Sequence, residues 1–179
     1  MGQAMIVVTG LPGAGKTTLA GQLAHRLALP LFSLDTVKES LFASLHVSDR
    51  RVLRAASLDV IVALLRSSPT GGVVDVWVDP TGDIDAVRRH FAKAGIQKSV
   101  EVRCVLSGDQ AAERFAARPR AGPHRPADAE LLHRIKAAAP LVRPLGIGAC
   151  LEVDTSEVVD VEGVVQWLRQ QAVSGVEVS

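Results

Sequence analysis

Residues 10 to 17 read Gly-Leu-Pro-Gly-Ala-Gly-Lys-Thr and follow directly on the apolar run Met5-Ile6-Val7-Val8-Thr9. The string meets G-x-x-x-x-G-K-[ST] at every fixed position, and few patterns of eight residues restrict a fold as much. A buried strand that stops at glycine and opens a helix gathers backbone N–H groups around one point. Glycine leaves no Cβ there to obstruct an anion. Lys16 adds a point charge for β- and γ-phosphates, the Thr17 hydroxyl is a magnesium ligand, and the positive end of the following helix deepens the field. Gly10, Leu11, Pro12, Gly13, Ala14, Gly15, Lys16, Thr17 and the adjoining Thr18 are therefore expected to bind ATP with Mg2+ as a P-loop.

Around this loop, apolar runs alternate with helical patterns, as expected of βα units on a parallel sheet. Leu19, Leu23 and Leu27 stripe a helix over 16–27, and a short strand follows over 31–34. Two successive helices are expected at 36–45 and 49–67, the second packing through Val52, Ala56, Val60 and Leu64. Gly71-Gly72 predicts a turn before a strand over 73–78. Further helices are expected at 84–93, 110–117, 127–139 and 161–171, with strands at 99–106 and 150–153. The Pro-, Arg- and Gly-rich stretch 118–126 predicts a loop. At 179 residues the whole of 1–179 is expected to form one domain, and with four Phe, two Trp and no Tyr its core must be aliphatic.

Composition excludes several partners. Twenty basic and 19 acidic residues leave a net charge of +1, too balanced for long nucleic acid or a membrane surface. No apolar run approaches the length of a membrane span. Cys104 and Cys150 form no C-x-x-C pattern and are expected to be reduced, buried thiols of a cytoplasmic protein. A GTPase would need an Asn-Lys-x-Asp segment to read guanine, and the chain contains no asparagine, although Asp79-Pro80-Thr81-Gly82 fits D-x-x-G. A motor ATPase would show Asp-Glu after its strand, whereas Asp75 is followed by Val76, and too few residues remain for the motor's helical domain.

A kinase has positive support. Asp35 is expected to end the second strand, where a doubly wound sheet presents its ligand crevice. A carboxylate there either accepts the proton of an attacking hydroxyl or caps the helix predicted from Thr36. Arg114 and Arg118 lie four apart, on one helix face leading into a loop that also carries Arg120 and Arg125. They are either a lid over 114–127 that neutralises phosphoryl charge, or a solvated helix end. Trp77 is either a core residue or a surface on which a flat substrate stacks.

The chain resembles the small kinases of the AAA_33 type, related to zeta toxin, chloramphenicol phosphotransferase and the kinase domain of polynucleotide kinase. The resemblance rests on residues 5–18, on Ser33-Leu34-Asp35-Thr36-Val37-Lys38, on Val73-Val74-Asp75 and on Glu113-Arg114-Phe115-Ala116-Ala117-Arg118. It implies an α/β P-loop NTPase fold of the nucleoside-monophosphate-kinase kind. That fold is a parallel five-stranded sheet in order 2-3-1-4-5, with helices on both faces and a short lid. It further implies that Asp35 is the base and that Asp75 lies near magnesium. Residues 36–70 would form the acceptor side, with Lys38, Glu39, Arg50, Arg51 and Arg54 as polar candidates. Asp154-Thr155-Ser156 would adjoin adenine, while His124 alone stands where similar kinases carry two histidines. The expected catalytic set is Asp35, Lys16, Arg114 and Arg118, the expected metal ligands are Thr17 and Asp75, and the expected partners are ATP and a small-molecule hydroxyl acceptor. A regulatory ATPase without an acceptor and a polynucleotide 5′-hydroxyl kinase remain as alternatives.

Overall fold

The computed structural model describes residues 3–47, 49–82, 84–118 and 127–171. The first strand, β1 (Ala4–Gly10), is buried along its whole length, and its alternate residues serve different layers. Ile6 and Val8 enter one hydrophobic cluster, Met5 and Val7 the other. A strand buried on both faces needs the unbroken apolar run seen in the sequence, because side chains alternate across a sheet.

Elements then follow in the order α1 (Lys16–Leu27), β2 (Leu31–Ser33), α2 (Leu34–Leu45), α3 (Arg50–Ser67), β3 (Gly71–Asp75) and α4 (Ile84–Ala92). The second half is β4 (Lys98–Val105), α5 (Gly108–Ala117), α6 (Ala129–Ala138) with a 3-10 turn over Ala139–Leu141, β5 (Ala149–Asp154) and α7 (Val161–Gln170). The strands form one five-stranded parallel sheet in the order β2-β3-β1-β4-β5, as the family resemblance implied. One core lies between the sheet and α1, α5, α6 and α7, the other between the sheet and α3 and α4.

Three expectations are corrected. The second and third strands are shorter than predicted: β2 ends at Ser33, and β3 ends at Asp75 rather than Val78. Pairing stops there because β2 supplies only three residues and the last two residues of β1, Thr9 and Gly10, pair with β4 alone, so only the Val76 N–H still reaches β1, at the Val8 carbonyl. Gly71 and Gly72 open β3 instead of forming a turn. Gly71 has φ +79°, and a Cβ on it would stand 1.9 Å from the Ala4 carbonyl oxygen, so the strand can enter beside β1 only at a glycine.

The face of α3 also differs. Leu53, Ser57, Leu58, Ile61, Val62 and Leu65 are buried, whereas Val52 is 54% exposed and Leu64 40% exposed. The row from Val52 is wholly apolar, and the row from Leu53 is apolar except for Ser57, whose hydroxyl bonds back to the Leu53 carbonyl at 2.7 Å. The row from Leu53 is flanked by Leu58 and Val62, which widens it into a stripe of large side chains, while the row from Val52 is flanked by Ala55, Asp59 and Ala63. Leu53→Ala should therefore cost about 2–5 kcal/mol in a urea titration, while Val52→Ala should change stability by less than about 0.5 kcal/mol. Equal losses in the two variants would restore the face expected from sequence.

Candidate active site

Parallel strands deliver their carboxyl ends to one edge, and the candidate residues meet there. The loop between β1 and α1 takes positive φ at Gly10, Gly13 and Gly15. At Gly13 a Cβ would come within 2.1 Å of the Ala111 carbonyl oxygen of α5, so the loop can lie against that helix only without a side chain. Pro12, Gly13, Gly15, Lys16, Thr17 and Thr18 line a cavity of about 320 Å³. Leu11 and Ala14 are buried behind it and hold the loop to the core, and Gly10 is buried where β1 ends. Lys16 Nζ donates to the Leu11 carbonyl of its own loop at 2.9 Å, so its ammonium is folded over the loop's concave side.

Beneath the loop, Thr17 Oγ1 donates to Asp75 Oδ2 at 2.6 Å, and Ser33 Oγ donates to the same oxygen at 3.3 Å. Asp75 is 5% exposed. Ser33 was not singled out from sequence. It is placed by register, as the neighbour of Asp75 across the β2–β3 ladder. Two hydroxyls and one carboxylate are hard oxygen donors, the kind that magnesium prefers, and this ion usually completes its shell with phosphate and water. The residues present therefore fit the expected metal. Among the described residues no cluster of three or more His, Cys, Asp or Glu forms a cage of protein ligands.

Asp35 of α2 also lines this cavity. It does not end the strand as predicted but stands in the first turn of α2, whose N-cap is Ser33. Capping is thus not what Asp35 is for. Its Oδ1 accepts from Lys38 Nζ at 2.6 Å, one helical turn on, and its side chain remains 63% exposed. Arg54 of α3 reaches across to the Trp77 carbonyl at 2.7 Å, which fixes the chain beyond β3 against the helix pair. Lys38, Arg54 and Trp77 all line the cavity. Trp77 also packs partly buried on the core, as the core reading of it expects. Glu39, Arg50 and Arg51 do not line the cavity.

Arg114 and Arg118 line the opposite wall. Arg114 forks onto the carbonyls of Thr155 and Ser156, at 2.7 and 2.9 Å, tying α5 to the segment after β5. Arg118 follows directly at the helix end. Arg120, His124 and Arg125 lie outside the described residues, as does most of the expected lid. Cys104, whose backbone neighbours Gly10 across the sheet, has its thiol pushed up to about 11 by burial despite nearby Lys16. It is a buried thiol of the core, held in its protonated form. Cys150 is only half-buried, less than predicted, and burial pushes its thiol to about 11 as well. No helix among the described residues is long and apolar enough to cross a membrane.

A model of an AAA domain family, AAA_33, matches residues 5–141. The chain belongs to that family. A crystal structure of a candidate kinase from Chloroflexus aurantiacus is 31% identical, with a TM-score of 0.78 over 96% of this chain and 99% of its own. Shikimate kinase from Acinetobacter baumannii, solved with shikimate, is 19% identical with a TM-score of 0.60, covering 98% and 96% of the two chains. A gluconokinase from Sinorhizobium meliloti is 19% identical with a TM-score of 0.59, covering 95% and 90%. A search of curated proteins gave no significant match. The AAA_33 chain therefore has the fold of the P-loop kinases, and its family is one of nucleotide binders.

Lys16→Ala should weaken binding of a nucleoside triphosphate by roughly 10- to 150-fold, the scale of a hydrogen bond to a charged group. Its melting temperature should stay within about 4 °C of the parent, since the ammonium faces the cavity and not the core. Calorimetric titration with a non-hydrolysable triphosphate checks both the loop's role and the direction of Lys16.

Proposed function

We propose that this protein is an ATP- and Mg2+-dependent kinase that transfers the γ-phosphoryl group to a hydroxyl of a small molecule. One observation carries the reading: a carboxylate on α2, Asp35, lines the same cavity as the phosphate loop, yet belongs to a different element from it. A nucleotide binder that only hydrolyses or switches has no need of a carboxylate on that far wall. A kinase needs one to orient and deprotonate its acceptor.

Magnesium, held by Thr17 and Asp75, would supply charge neutralisation between the phosphates. The chain's own residues do the rest. Lys16 turns from the Leu11 carbonyl to the β- and γ-phosphates. Asp35 accepts the acceptor's hydroxyl proton as the oxygen forms its bond to γ-phosphorus. The bond between γ-phosphorus and the bridging oxygen breaks, and ADP leaves with that electron pair. Lys38 holds the Asp35 carboxylate in a fixed direction, and Arg54 holds the strand exit that faces it. Arg118, with Arg114 behind it, places positive charge on the side where the γ-phosphoryl charge spreads.

Asp35→Asn should reduce acceptor-dependent ADP release by roughly 100- to 10,000-fold, with ATP affinity near that of the parent. The melting temperature should hardly move, because the Asp35 side chain is 63% exposed and its pair with Lys38 is worth little. Near-normal turnover in this variant would remove Asp35 from the mechanism. Arg118→Ala should lower kcat by about 10- to 1,000-fold with little change in ATP affinity. A parental kcat would leave Arg118 as a solvated helix end.

A further inference from the structure

Beside the catalytic cavity lies a second pocket of about 140 Å³, between the chain leaving β3 and the helix α6. Its walls are Pro12, Trp77, Leu131, Ile135, Ala138 and Leu141. Three of these, Pro12, Trp77 and Leu131, also line the catalytic cavity, so the two spaces adjoin across the Trp77 side chain. Leu141 remains 48% exposed at the mouth, which leaves a large apolar side chain beside an apolar hollow.

The polar groups at the rim are matched to one another. Asp79 accepts from the Thr81 N–H at 2.9 Å, from the Thr81 hydroxyl at 2.7 Å and from Arg134 Nη2 at 3.1 Å. Burial alone would raise the Asp79 carboxyl, but the Thr81 bonds and Arg134 outweigh it and hold the group below its ordinary value. One anion and one cation cancel, so the rim makes no demand for a charged ligand. Pro12, Leu131, Ile135, Ala138 and Leu141 offer a sugar's hydroxyls no side-chain partner, and Asp79, Thr81 and Arg134 already bond one another, so burying such hydroxyls there is costly. The volume is close to the roughly 150 Å³ of an apolar cavity that takes a benzene ring.

We propose that this pocket receives the non-polar body of the phosphoryl acceptor, and that the acceptor is an alcohol built on an aromatic or carbocyclic ring instead of a polyhydroxylated sugar. The inference rests on the kinase reading above. The hydroxyl lies toward Asp35, the ring passes Trp77, and α6 closes over it with Leu131, Ile135 and Ala138. This is a division of labour common in ligand sites, with apolar walls supplying affinity and a few polar groups supplying orientation.

Two measurements separate this inference from the reading it rests on. The chain has two tryptophans, so Trp167→Phe leaves Trp77 as the sole indole reporter. Toluene, which has no hydroxyl, should produce a saturable change in Trp77 fluorescence, and Ala137→Phe should abolish it by filling the pocket from an exposed position on α6. Leu141→Asn, at the rim, should weaken the same binding and guards against misfolding of the first variant. In turnover, 2-phenylethanol should be a better acceptor than glycerol, and Ala137→Phe should lower the ratio of their kcat/KM values by at least about tenfold. Failure of toluene to bind overturns the inference and leaves the kinase reading intact. Toluene binding with glycerol and glucose preferred to 2-phenylethanol also overturns it, since the pocket would then lie outside the acceptor path. Absence of acceptor-dependent turnover with every alcohol overturns the kinase reading and this inference with it.

Discussion

The Asp75 carboxylate joins three elements at one point. It stands at the end of β3, accepts a hydrogen bond from Thr17 at the start of α1, and accepts another from Ser33 at the end of β2. A carboxylate this deeply buried would be costly without such donors. The hydroxyls therefore fix the phosphate loop relative to the sheet, and β2 relative to both. The first turn of α2 begins at the next residue, so the position of Asp35 is inherited from the same junction. The candidate site is thus an extension of the sheet's own edge. Parallel pairing brings the strand ends together, and a few polar contacts hold what hangs from them.

A second constraint acts from the other wall. Arg114 binds two carbonyls beyond β5 from its seat on α5, and Gly13 lets the phosphate loop approach that helix closely. The loop is thereby held between α5 and the sheet. Lys38 and Arg54 do the corresponding work across the cavity, where the helix pair faces the exit of β3. The cavity has rigid sides, with cationic groups on both. This suits a reaction in which positioning and charge stabilisation do most of the catalysis.

What was legible in the sequence is what short-range chemistry dictates. The glycine loop, the buried run before it and the leucine stripe of α1 all act within a few residues, and each stands where it was expected. The sheet order came from resemblance to a family, since periodicity alone gives elements and not their arrangement. Ser33 was missed because its role depends on register with β3, 42 residues away. The α3 face was misread because two apolar rows compete, and only the sheet beneath decides between them. The capping alternative for Asp35 failed by two residues of helix boundary, the least certain feature of any sequence reading. The carbonyl partners of Arg114 lie 41 and 42 residues on and have no local signature.

On the proposed mechanism one cavity holds both a triphosphate and the hydroxyl that attacks it. Incubating the protein with Mg2+, ATP labelled with 32P at the γ position and a panel of small alcohols tests it most directly. Label is expected in an acid-stable phosphomonoester, formed only when a suitable alcohol is present and faster than label appears as inorganic phosphate. Label released solely as inorganic phosphate, at a rate indifferent to every alcohol, would contradict it.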